Sequence, residues 1–116
     1  MTPLTTSYNF GDIVLVPYPF TNQVTTKQRP AVVASSALYN SNRPDLILMA
    51  VSSQTGPAGI VGEVVVTEWQ LAGLLKPSVV KPILTTVEKR LVRRKLGQLE
   101  ATDRTALESA LRLILG

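Results

Sequence analysis

The stretch Lys27-Gln28-Arg29-Pro30-Ala31-Val32-Val33-Ala34-Ser35-Ser36 decides how this chain is read. A basic, polar tripeptide ends a loop, Arg-Pro opens a strand, and an apolar β-run follows at once. Proline fixes its own φ and donates no backbone hydrogen bond, so it suits the start or edge of a strand. It also drives the preceding residue into the extended region, which gives Arg29 a defined backbone at the mouth of the strand. A guanidinium held in this way can clamp an anion in a bidentate geometry. The plainer alternative is a surface arginine paired with a carboxylate.

Outward from this stretch the chain alternates short β-runs with turns. Upstream, Gly11-Asp12 punctuates and Ile13-Val14-Leu15-Val16 forms a β-branched run, with Asp12 read as fixing the turn. Pro17 to Thr26 then gives a loop of about a dozen residues up to Gln28, long enough to carry function. Downstream, Asn40 to Asp45 reads as turn chemistry, Leu46 to Val51 as a third strand, and Ile60 to Thr67 as a fourth. Ser78 to Val87 suggests a fifth strand, or a bent pair interrupted by Pro82. Residues 88–99 fit no single template. A helix is expected from about Asp103 to Leu115, N-capped by Thr102, with Leu107, Ala110, Leu111, Ile114 and Leu115 on one apolar stripe. Five to six short strands and a closing helix predict a small, mainly β barrel in a single domain spanning 1–116.

Composition narrows the chemistry. The chain has 116 residues, is 45% hydrophobic, and contains neither Cys nor His. Thiolate chemistry is excluded, and so are the usual neutral-pH base and the usual metal ligand. The sequence implies no metal site and no cofactor. The first residues lack the basic start and apolar core of a signal peptide, and no apolar run reaches membrane-spanning length, so a soluble cytoplasmic protein is expected. The net charge is +4 and it is segregated. Seven cations (Lys76, Lys81, Lys89, Arg90, Arg93, Arg94, Lys95) lie from residue 76 to 95 with one acid, Glu88; the rest of the chain holds five basic residues and seven acids. Such a stretch suits a polyanion or an acidic partner, and equally a solvated face.

Gly11-Asp-Ile-Val-Leu-Val-Pro-Tyr-Pro-Phe-Thr21, followed by Lys27-Gln-Arg-Pro-Ala-Val-Val-Ala-Ser35, resembles the opening of the MazF/PemK family of toxin endoribonucleases. Met49 to Gln54, Gly73 to Val80 and Lys89-Arg90-Leu91 resemble later signatures of that family in the same order. The resemblance implies an SH3-like barrel with a C-terminal helix, working as a homodimer and neutralised by an antitoxin. It implies metal-independent cleavage of single-stranded RNA by the 2′-hydroxyl, leaving 2′,3′-cyclic phosphate and 5′-hydroxyl ends. It makes Arg29 and Ser52 the catalytic pair. Two departures are visible. The approach to Arg-Pro is Gln23-Val-Thr-Thr-Lys-Gln28 where the family often has acidic or glycine-rich residues, and Ser52 stands where Thr is commoner.

The residues themselves suit this chemistry. Arg29 can hold the non-bridging oxygens of a phosphorane and the Ser52 hydroxyl can donate one more bond. A general base is open between a carboxylate, water and a substrate-assisted proton shift. Tyr18 and Phe20 offer stacking surfaces for unpaired bases, although Phe20 serves equally to anchor the loop. Ser53 and Gln54 can read a base edge or cap the sheet, Lys27 can contact a second phosphate, and Lys89, Arg90, Arg93 and Arg94 can follow the backbone. Two other functions fit the same fold: a CcdB-like gyrase poison, disfavoured by the Leu113-Ile-Leu-Gly116 end without Trp, and a binding barrel whose catalysis has lapsed, against which both Arg29 and Ser52 argue.

Overall fold

The apolar runs on either side of Arg-Pro are neighbours in the computed structural model, which describes residues 6–17, 27–54, 56–57 and 59–116. β1 (Asp12–Pro17) pairs with β2 (Gln28–Val33), and β2 with β3 (Asp45–Ser52). β3 pairs with the long β5 (Ser78–Glu88), and β5 with the short β4 (Val64–Val66). β6 (Arg94–Gln98) closes the other side against β1. Every pairing is antiparallel, and the order across the single sheet is β4-β5-β3-β2-β1-β6. Two irregularities, between Ile13 and Val14 and between Met49 and Val51, bend the sheet into a curled half-barrel. The fold is mainly β with a closing helix, as the sequence leads one to expect.

Strand alternation sorts the apolar side chains onto two faces. Ile13, Val32, Met49, Val51 and Val80 join Ala72, Leu74, Leu99 and Leu107 in one cluster. Val14, Val16, Ala31, Val33, Leu46, Leu48 and Val87 form the second, covered by Tyr8, Leu91 and Val92. α2 (Ala101–Leu115) lays Leu107, fully buried, on the first cluster, a burial that contributes on the order of 2 kcal/mol.

Several local expectations are corrected. α2 begins at Ala101 after Glu100, not at a Thr102 cap. Asp103 is buried instead, accepting from the Thr67 N–H, the Thr67 hydroxyl and the Glu68 N–H at 3.2, 2.8 and 3.0 Å. The helix stripe is buried only in its first half, since Ile114 and Leu115 are exposed. Residues 37–42 form a short helix, α1 (Ala37–Asn42), capped by the Ser36 hydroxyl, which accepts from the Tyr39 N–H. The fourth strand is only three residues long, because Gly59 and Gly62 take positive φ and turn the chain before it. Among the described residues, no helix is long and apolar enough to cross a membrane.

Candidate functional site

The β2–β3 ladder runs Val33↔Leu48, Val32↔Met49, Ala31↔Ala50 and ends there. Two residues further on each strand stand Arg29 and Ser52, and both line one groove. Alternation puts both on the face of Ala31, Val33, Leu46 and Leu48. A strand start bearing Arg-Pro and a strand end bearing Ser-Ser-Gln therefore meet at one rim of the sheet.

Two grooves open at that rim, and Arg29 lines both. The larger, about 560 Å³, lies on the side of the first cluster. Its walls are apolar (Leu15, Pro30, Val51, Leu74, Leu75, Leu96), with Lys27, Lys76 and Arg94 among them. The smaller, about 340 Å³, holds Arg29, Ser52, Ser53, Gln54 and Lys81 over Val16, Ala31, Ala50 and Ile83. None of the chain's eight carboxylates, all of which lie among the described residues, lines either groove. No three acids gather as a metal-binding group among the described residues.

The Arg29 side chain is exposed, and its guanidinium makes no hydrogen bond or ion pair with any described residue. The surface-pair alternative thus has no carboxylate to supply it. The Ser52 hydroxyl accepts from the Gln54 N–H at 3.1 Å, which fixes its oxygen and leaves its proton for another acceptor. Lys81 donates to Glu63 at 2.8 Å.

The wall carrying Leu74 to Lys76 is fixed from two sides. Asp103 ties down residues 67–68 at its base. Gly73 and Gly97 then bring two backbones into direct contact: a Cβ on Gly73 would lie 2.2 Å from the Leu96 carbonyl oxygen, and one on Gly97 2.3 Å from that of Ala72. Gly73 also has φ +90°, a region that favours glycine.

The structure gathers Lys27, Arg29, Ser52, Ser53 and Gln54, and leaves two of the expected residues elsewhere. The Lys89 N–H donates to the Pro44 carbonyl, and Arg90 pairs with Glu88, which faces Asp45 across the ladder. That is the far end of β3, about 24 Å of extended strand from Ser52. There the Arg43 side chain, through a direct hydrogen bond, holds the Asp45 carboxyl below its usual range. Charge density singled out Lys89, Arg90, Arg93 and Arg94, of which only Arg94 lines a groove; the other cations there beside Lys27 and Arg29 are Lys76 and Lys81. Of these two, only Lys81 had a local signal, Pro82 as the mark of a bulge. Tyr18 and Phe20 lie outside the described residues.

Comparison with known proteins gives a consistent result. Residues 9–115 match the family model described as PemK-like, MazF-like toxin of type II toxin-antitoxin system. The fold resembles a MazE–MazF crystal structure from Deinococcus radiodurans, at 24% identity and TM-score 0.76 over 96% of this chain and 98% of that one. It resembles an endoribonuclease in complex with its cognate antitoxin from a mycobacterial species, at 14% identity and TM-score 0.73 over 97% and 96%. It also resembles the Mycobacterium tuberculosis toxin MazF-mt6, at 22% identity and TM-score 0.69 over 86% and 91%. At these identities the likeness is one of fold. No curated protein sequence matches the chain.

Proposed function

We propose, for a chain that belongs to the PemK-like, MazF-like family of toxins of type II toxin–antitoxin systems, that its Arg29–Ser52 rim cleaves single-stranded RNA without a metal. The observation that carries this reading is a guanidinium without a described side-chain partner, in one groove with a serine hydroxyl, at a rim no carboxylate lines. A carboxylate there would repel a phosphate and compete for the guanidinium. Its absence leaves the fork free for the two non-bridging oxygens.

In this mechanism the RNA's own 2′-hydroxyl attacks the adjacent phosphorus. The P–O2′ bond forms, the P–O5′ bond breaks, and the products carry a 2′,3′-cyclic phosphate and a 5′-hydroxyl. Arg29 and Ser52 stabilise the charge that grows on phosphorus-bound oxygens. Holding the 2′-oxygen in line with the leaving oxygen supplies a further part of the rate. With no His in the sequence and no Asp or Glu in the grooves, the 2′-proton passes to water or to the phosphate itself.

Because Arg29 borders both grooves, the scissile phosphate sits on the ridge with a nucleotide on each side. The apolar walls of the larger groove suit a stacked base, with Lys27, Lys76 and Arg94 on flanking phosphates. Ser53 and Gln54 in the smaller groove suit the polar edge of the other base. A cognate antitoxin would silence the chain by covering this rim, and the working form is a homodimer.

Incubation with a long single-stranded RNA in excess chelator tests the metal-independent part. Cutting is expected to persist, and activity lost to chelator and restored by magnesium would remove the mechanism. The path of the RNA is tested by salt dependence. Replacing Lys76 and Arg94 by Gln is expected to flatten the slope of log affinity against log salt by about 1 for each lost contact. The same change at Lys89 and Arg90 is expected to leave the slope near wild type. The reverse pattern would move the RNA path to the far end of the sheet.

A further inference from the structure

We propose that Lys81 is a third group on the scissile phosphate and that Glu63 positions it there, an assignment that rests on the ribonuclease reading above. The β3–β5 register passes from Met49↔Leu84 to Val51↔Val80, so Lys81, Pro82 and Ile83 face Ala50 alone. A bulge of this kind breaks alternation and re-aims side chains. Proline is tolerated inside it because no ladder hydrogen bond is required. The consequence is that Lys81 lines the groove of Arg29 and Ser52.

Glu63 reaches Lys81 from the turn before β4, where the Glu63 N–H donates to the Ile60 carbonyl and Gly62 has φ +92°. The ion pair is 2.8 Å long, with side chains only 26% and 15% exposed for Lys81 and Glu63. Withdrawing both charges from water costs free energy that their attraction does not reliably return, and apolar residues would hold the same turn as well. The pair is costly as pure scaffolding but apt for a groove that takes an anion. Among the described residues, Glu63 is also the one carboxylate paired with a side chain on that groove.

An ammonium has three N–H donors. Glu63 accepts one and thereby fixes the Lys81 side chain, leaving two for oxygens in the groove. As the P–O2′ bond forms and the P–O5′ bond breaks, negative charge develops on the non-bridging and departing oxygens. The planar fork of Arg29 suits the former, and the Lys81 point charge suits the latter. Lys81 keeps its proton throughout, and the departing oxygen takes one from water.

Four proteins decide it: wild type, Lys81→Met, Glu63→Gln and the double variant. RNA affinity, single-turnover rate at saturating RNA and melting temperature are read on each. Lys81→Met is expected to lose on the order of a hundredfold in rate, with affinity changed only a few-fold. Glu63→Gln should show a smaller loss, again in rate and not in affinity, which a purely structural role would not produce. The double variant has no unpaired carboxylate, so it carries the test if Lys81→Met alone fails to fold. It is expected to cleave as slowly as Lys81→Met while melting near wild type. Wild-type cleavage by Lys81→Met or by the double variant overturns the role of Lys81. An affinity loss at unchanged rate in Glu63→Gln overturns that of Glu63. A wild-type protein that cuts no RNA overturns the ribonuclease reading instead, and this role with it.

Discussion

Arg29→Lys is expected to keep RNA affinity within a few-fold of wild type while lowering single-turnover cleavage by on the order of a hundredfold or more. The charge is retained, so long-range attraction to the phosphates persists. What is lost is the planar pair of donors, and an ammonium at that place cannot bridge two phosphate oxygens. Because the Arg29 guanidinium is exposed and unpaired among the described residues, the variant should melt with wild type. Ser52→Ala should also slow cleavage, but by less, since a neutral hydroxyl supplies one weaker bond. A wild-type rate in Arg29→Lys, or a loss traceable to unfolding, would remove Arg29 from the chemistry.

Gly73→Ala is expected to destabilise the fold by about 3 kcal/mol or more, combining backbone strain with overpacking. At this chain length that is about a 10 °C fall in melting temperature. The new Cβ would sit 2.2 Å from a backbone oxygen that belongs to β6 and has no side-chain freedom to yield. Gly97→Ala makes the reciprocal collision, 2.3 Å from the Ala72 oxygen, without the φ penalty, and should cost somewhat less. Gly56→Ala is the control, since nothing lies within 4 Å of its added Cβ. The two damaging variants should also weaken RNA binding, because the Leu74–Lys76 wall rests on that contact. A Gly73→Ala protein melting with wild type would show that the wall yields freely.

The legible part of the sequence was the part written in short-range chemistry. Arg-Pro followed by a β-branched run can only begin a strand comfortably, and Ser-Ser-Gln after six apolar residues can only end one. That placed Arg29 and Ser52 at strand termini, and antiparallel pairing then made them neighbours. The resemblance to the toxin family rested on the same residues, and the family match bears it out. Misread stretches had competing signals. Ile60 and Val61 have β character, yet the glycines on either side turn the chain and only Val64–Val66 pair. Asn40 and Asn42 suggested a turn, but the Ser36 cap is enough to start one and a half turns of helix. Pro82 suggested a broken strand, whereas the bulge absorbs it and β5 runs on.

The groove walls were illegible for a different reason. Lys76 and Arg94 line one groove because Gly73 and Gly97 let two distant backbones touch, and nothing within either segment announces the other. Counting charges along the chain therefore favoured Lys89, Arg90, Arg93 and Arg94 together, although only Arg94 lines a groove and Arg90 pairs with Glu88 at the other end of the sheet. Lys81 has the same history: a bulge decides where it points, and a bulge is a property of two strands.

The most direct test of the central claim is end-group analysis of RNA cut by the purified chain in excess chelator. Attack by the 2′-hydroxyl at an Arg29–Ser52 rim predicts 2′,3′-cyclic phosphate and 5′-hydroxyl termini, and no such products from Arg29→Lys on the same timescale. Products bearing 5′-phosphate and 3′-hydroxyl ends would mean that water, not the RNA, attacked, and would contradict the account.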